Sequence, residues 1–193
     1  MQLYELFSIA PASIYEEIFT SMNNKQRRAM MGQYSGHKSG KFVSLKSRQK
    51  ADPSVIFEKI IEREENLPLE ELMRIWFLKK QRNMLGDALD WAGIPHEDGV
   101  TNDELDAITK APLENLEELV KLLSEKEYPV EHILMYLAAI GCEGAFYVEP
   151  LRQVVIEWGG EEMLPQPVEE DEEEPAEDDA EADDAEAEAA EEK

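Results

Sequence analysis

The chain has 193 residues, 44 of them acidic and 19 basic, with a formal net charge of −25. A single cysteine, Cys142, excludes an intrachain disulfide and any one-chain zinc site built on several cysteines. No apolar run in the sequence approaches the roughly 20 residues that a membrane-spanning helix needs, and the first residues lack the basic and apolar regions of a secretory signal. The expectation is a cytoplasmic protein.

The charge is strongly segregated. Residues 161–193 hold 18 acids and one base, a net of −17, whereas 1–160 carry the remaining −8. Within that body, residues 25–50 hold eight bases and no acid. The apolar residues lie almost entirely before Leu164. A stretch of about 150 residues can bury roughly 70 % of its unfolded surface, enough for one core.

In chain order, the first predicted helix covers about 14–20, with Ser13 and Glu16 at capping-box spacing and Ile14, Ile18 and Phe19 as its apolar stripe. A second covers 25–31 and ends at Gly32. The Gly-, Ser- and Lys-rich stretch 32–51 reads as a mobile basic loop, because glycine raises the entropy cost of ordering and like charges repel. Asp52 and Pro53 suit the N-cap and first position of a helix that carries Ile56, Phe57, Ile60 and Ile61. Leu67-Pro68 opens the next, with Leu69, Leu72, Met73, Trp76 and Phe77 on its buried face; the pattern leaves open whether it breaks near Asn83 or runs on to Trp91. Ala92-Gly93-Ile94-Pro95 is the strongest stop signal in the chain. Glu97-Asp98-Gly99 comes next as a turn, and Thr101 with Glu104 starts a short helix.

Pro112 and Pro129 each begin a further helix. Leu113, Leu116, Val120 and Leu123 face inward on the first, and Val130, Ile133, Leu134 and Leu137 on the second, which stops at Gly141. The last runs from Pro150 to Trp158. Its Val154-Val155-Ile156 run would suit a strand, but no other convincing strand exists to pair with it. The sum is an all-α domain of six to eight helices over 1–160, followed by a disordered acidic tail over 161–193.

No catalytic, cofactor or metal motif is present. His37, His96 and His132 have no metal-ligand spacing, and glycine-rich phosphate loops and nucleophile elbows are absent. His132 reads as a helical or partly buried framework residue, and Cys142 as a small semi-buried hydrophobe. The acids around His96-Glu97-Asp98, with Asp103 and Asp106, do not fit a calcium loop and suit a turn and helix cap. The most informative candidate contact is the basic set Lys25, Arg27, Arg28, Lys38, Lys41, Lys46, Arg48 and Lys50, with Tyr34 and Phe42 interleaved as possible stacking platforms. Such a set can track phosphates or simply form a solvated loop that balances an acidic body. The tail can act as an internal polyanion competitor or only improve solubility. Trp158, at the end of the last helix, is a possible anchor for a partner. These features favour a non-enzymatic interaction or regulatory protein with a protein partner and no cofactor. The alternative is a nucleic-acid-associated regulator that binds through 25–50.

Overall fold

The computed structural model describes residues 1–34, 52–102 and 105–165. The described chain is all helical, with one isolated β-bridge. Ten α-helices are present among the described residues, more than the six to eight expected: α1 (Leu3–Ile9), α2 (Ala12–Ser21), α3 (Asn24–Tyr34), α4 (Pro53–Ile61), α5 (Asn66–Lys80), α6 (Arg82–Trp91), α7 (Leu105–Glu114), α8 (Leu116–Glu125), α9 (Val130–Ala139) and α10 (Leu151–Gly159). None of them is long and apolar enough to cross a membrane. Two 3-10 turns come after α9 and α10, at Glu143–Tyr147 and Glu161–Met163.

The additional helices have local causes. Leu3, Leu6 and Phe7 give α1 a three-four spacing, and all three are buried. The Glu5 carboxylate accepts the Gln2 backbone N–H at 2.5 Å, which satisfies a donor left free at the helix start. The Ser13–Glu16 capping box is not formed, because the chain already enters α2 at Pro11, whose extended backbone occupies the N-cap. Near Asn83 the uncertainty resolves as a break at Gln81, between α5 and α6. Pro112 does not start a helix. It lies inside α7 and is buried, and the next helix starts after Asn115, leaving Leu113 59 % exposed instead of facing the core. α3 runs past Gly32 to Tyr34, where helix was expected to give way to the basic loop. Packing also continues beyond residue 160: Met163 and Leu164 lie against the core, and Tyr147 Oη donates to the Pro165 carbonyl at 3.1 Å. Residues 35–51, 103–104 and 166–193 lie outside the described part, and with them most of the basic loop, the Thr101–Glu104 cap and most of the acidic tail.

α5 is the central element and packs against α1, α2, α6 and α9. Its expected stripe of Leu69, Leu72, Met73, Trp76 and Phe77 is buried throughout. On one side Phe7, Tyr15 and Phe57 stack, with Tyr15 and Phe57 ring centroids 4.5 Å apart, and join α1, α2 and α4. On the other, Trp76, Phe77, His132 and Tyr136 join α5 to α9. α10 returns across α9 and α1, bringing the end of the described chain beside its start.

Helix ends share one recurring geometry. At α6 the Ile94 N–H reaches the Leu89 carbonyl at 2.9 Å and the Gly93 N–H reaches Asp90, with Gly93 at φ +69°. Cys142 and Gly141 close α9 in the same way. These are Schellman stops at the two glycines where stops were expected. α4 and α8 close identically, but with Glu64 (φ +55°) and Glu127 (φ +62°) in the left-handed position. A side chain there costs about 1–2 kcal/mol, and glycine returns about 0.5–1 kcal/mol of that in entropy. Both glutamates are exposed. Glu64→Gly and Glu127→Gly are therefore each expected to stabilise the protein by about 0.5–1 kcal/mol. Thermal unfolding should show Tm rises of a few degrees, roughly additive in the double variant.

Candidate functional site

Among the described residues a mainly apolar cavity of about 610 Å³ opens at the surface. α5 supplies one wall through Asn66, Glu70, Arg74, Phe77 and Leu78, spaced so that they run down one edge of the helix beside its core stripe. Met1, Gln2 and Leu3 close the end nearest α1. Leu85 of α6, the turn Gly99-Val100-Thr101 and Ile108 of α7 form the opposite side. The floor is made by Tyr136, Ala138 and Ala139 in the last turn of α9, with Cys142 and Phe146 just beyond it. The small side chains at 138, 139 and 142 leave space that larger ones would fill.

The turn that forms one wall is tightly held. Glu97 and Val100 exchange both backbone hydrogen bonds, at 2.8 and 3.0 Å, around Asp98 (φ +50°) and Gly99 (φ +74°). This is a two-residue hairpin of the mirror-image type that calls for positive φ at both centres. His96 locks it from beneath. Its Nδ1 accepts the Gly99 N–H at 3.1 Å, which leaves the ring proton on Nε2, 3.2 Å from the Asp90 carboxylate. The expected turn is thus present, and among the described residues no group of acids, histidines and cysteine could hold a metal ion. Asp103 lies outside the described residues.

The polar groups at the cavity are already committed or few. Arg74 donates from Nε and Nη2 to the Glu71 carboxylate, both at 2.9 Å. Cys142 is 1 % exposed, and burial pushes its thiol to about 11, so it stays protonated and is no nucleophile at neutral pH. Tyr136 is 5 % exposed. Burial, and then the neighbouring Cys142, raise its phenol above the ordinary value, so it remains a hydroxyl.

His132 lies outside this cavity. The Gln81 amide nitrogen sits 3.0 Å from its Nδ1, its Nε2 is 3.3 Å from Glu17, and its ring stands edge-on to Trp76 at 4.9 Å. It ties α9 to α2 and to the α5–α6 break. Burial lowers its pKa, against the opposing pull of Glu17 and Glu131. A histidine whose folded pKa is depressed contributes its full stability above the unfolded value of about 6.5, and that stability is lost as pH falls below it. Urea denaturation should therefore give a loss of stability as pH falls below about 6.5 that shrinks in His132→Gln. An equal loss in both proteins would assign the pH dependence to other groups.

A carboxylate clamp lies between α6 and the end of α8. Asp87 accepts from Lys126 Nζ at 2.5 Å and from Tyr128 Oη at 2.6 Å. Burial would raise its pKa, but these two hydrogen bonds and the lysine charge outweigh it and hold the carboxyl low.

The described part of the basic set is largely structural. Lys25 and Arg28 are exposed. Arg27 instead donates to the Phe19 and Thr20 carbonyls at 3.0 and 2.7 Å, and Lys79 donates to Ser21 at 2.8 Å. Two cations thus cap the C-terminal carbonyls of α2, where the helix dipole favours them. Tyr34 is 1 % exposed, donates to Glu65 at 2.7 Å and lies under the Arg63 guanidinium. Its ring is core and offers no stacking platform, contrary to the expectation from its basic neighbours. Lys38, Lys41, Phe42, Lys46, Arg48 and Lys50 lie outside the described residues. Trp158 is half-buried against the core, beside Gly159, where an added Cβ would lie 2.6 Å from Ile9.

Among protein-family models, curated proteins and solved structures, none matches this chain. The functional reading therefore stands on the cavity and the charges alone. Sequence reasoning did not identify the cavity. Its one trace in the sequence is Phe77, an aromatic that the helical period assigns to the core and that also lines the cavity.

Proposed function

We propose that this chain is a non-enzymatic interaction protein of regulatory type. In this reading the helical body carries the recognition site, and the charged segments 25–50 and 161–193 tune its contact with a protein partner. The observation that supports it most is the chemistry of the cavity: an apolar lining, one charged pair already satisfied between Arg74 and Glu71, and a thiol held protonated. Those are the properties of a site that binds. Neither described histidine lines the cavity: both face exposed carboxylates, and His96 also holds the hairpin wall from behind.

The partner contact is placed at the mouth of the cavity, where Val100 is 42 % exposed beside the charged edge of α5. The segregated charges give this contact an electrostatic component that affects association rate more than affinity. The test is site-specific photo-crosslinking in the native cell. A benzophenone side chain at Val100 should give a discrete protein adduct that the same group at exposed Glu157 does not. Adducts at neither position, or equally at both, would remove the interaction reading. Labelled RNA or DNA binding the purified full chain, with affinity that falls steeply with salt, would move the assignment to the nucleic-acid alternative.

A further inference from the structure

Tyr136 is at least nine-tenths buried, lines the cavity, and packs its ring on Phe77 at 5.8 Å. Among the described residues its hydroxyl has no hydrogen-bond partner. A buried polar group left without a partner costs about 1–3 kcal/mol, so an unpaired phenol in the lining of an apolar cavity is a point where a bound molecule gains a hydrogen bond. The volume, about 610 Å³, lies within the range of small-molecule pockets.

The charges of the lining define the ligand further. Arg74 carries the only cationic side chain among the described lining residues, and Glu71 already occupies it through both nitrogens. Glu70 and Glu143 also line the cavity. With Arg74 and the Met1 ammonium on one side and Glu70 and Glu143 on the other, the lining carries no net charge, so neither an anionic nor a cationic head is favoured, and the remaining polar lining of Gln2, Asn66 and Thr101 is neutral. We infer that the cavity is a binding site for a small, uncharged, largely apolar molecule carrying one hydroxyl or carbonyl oxygen, which hydrogen-bonds to the hydroxyl of Tyr136. In a regulatory protein such a molecule acts as an effector beneath the partner contact. The inference rests on reading the cavity as a binding site and does not depend on the protein partner.

The test uses the purified full chain and the neutral fluorophore N-phenylnaphthylamine, whose emission rises on entering an apolar site. The cavity should bind it saturably. Decanol should displace it better than decanoate or decylamine, each kept below its micelle concentration. Ala139→Phe, which fills the floor, should abolish the signal while circular dichroism remains that of the parent chain. Tyr136→Phe should weaken decanol by about 3- to 10-fold, the loss of one neutral hydrogen bond, and leave decane unchanged. If Ala139→Phe misfolds, Ala138→Leu serves as the filling variant.

Saturable binding that survives both filling variants, or no binding at all, overturns the site. Stronger displacement by either charged amphiphile overturns the ligand class, as does an unchanged decanol affinity in Tyr136→Phe. Loss of decanol and decane alike in that variant reduces Tyr136 to a packing role and overturns the hydrogen bond. Because none of these readouts involves a partner, their failure is separable from a failed crosslink at Val100.

Discussion

Gly99→Ala is expected to destabilise the protein by about 2–5 kcal/mol. A left-handed residue with a side chain costs about 1–2 kcal/mol, and an overpacked contact adds about 1–3 kcal/mol. Gly99 sits at φ +74°, and a Cβ there would lie 2.6 Å from the Arg82 carbonyl oxygen and 2.9 Å from the Leu85 Cβ. The first of these is backbone at the start of α6 and cannot rotate aside. The substitution forces either the turn or the first turn of α6 to move, and both line the cavity. Urea denaturation should show the lost stability. Fluorophore binding should fall even at temperatures where the variant remains folded, since Val100 and Leu85 move with the strained backbone. A comparison with Asp98→Gly separates conformation from space. Asp98 is also left-handed, at φ +50°, so glycine there relieves strain and should leave both properties intact or improved. If Gly99→Ala matched the parent chain in stability, the close approach of the turn to α6 would be wrong.

The contrast between Gly93 and Glu64 shows how far the sequence could be read. Gly93-Ile94-Pro95 announces a helix stop because glycine tolerates the left-handed position and proline forbids continuation. Glu64 and Glu127 end helices by the same hydrogen bonds, yet nothing in glutamate announces it, because its side chain carries no preference for the left-handed position. Asp52-Pro53 was legible for the same reason as Gly93: the Asp52 side chain accepts the Ser54 N–H at 3.0 Å, a contact between residues two apart. Pro112 misled because its fixed φ suits a helix start, while the structure buries it within a helix already under way. The core stripe of α5 was readable because a period of 3.6 survives in sequence whatever packs against it. The cavity was not, since α1, α5, α6, the hairpin, α7 and α9 contribute its walls and no short window holds two of them facing each other. Tyr34 and Arg27 looked like ligands because exposure was assigned from the charge of their neighbours. In the fold, one is covered by Arg63 and the other folds back on α2.

Trp76→Ala should cost about 3–5 kcal/mol, the usual loss for truncating a large buried aromatic side chain. Trp76 is fully buried at the centre of α5, its ring 4.9 Å from both Phe77 and His132. Its Nε1 has no partner among the described residues, which makes the tryptophan less favourable than its volume suggests. Trp76→Phe removes that unpaired donor, worth about 1–3 kcal/mol, together with part of the ring. The phenylalanine variant is therefore expected to lose under about 2 kcal/mol, well below the alanine variant. Urea titrations of the two give the difference directly, and similar losses would mean that the indole nitrogen is satisfied by water or a shifted neighbour. The same pair bears on the cavity. Phe77 sits next to Trp76 on α5 and carries the ring on which Tyr136 rests. A phenylalanine at 76 still supports Phe77 from behind, so fluorophore binding should survive. An alanine leaves room for Phe77 to fall back and for Tyr136 to move with it, so the phenol leaves the position in which it meets a ligand. Decanol affinity should therefore fall in Trp76→Ala by more than decane affinity does, before the fold itself is lost.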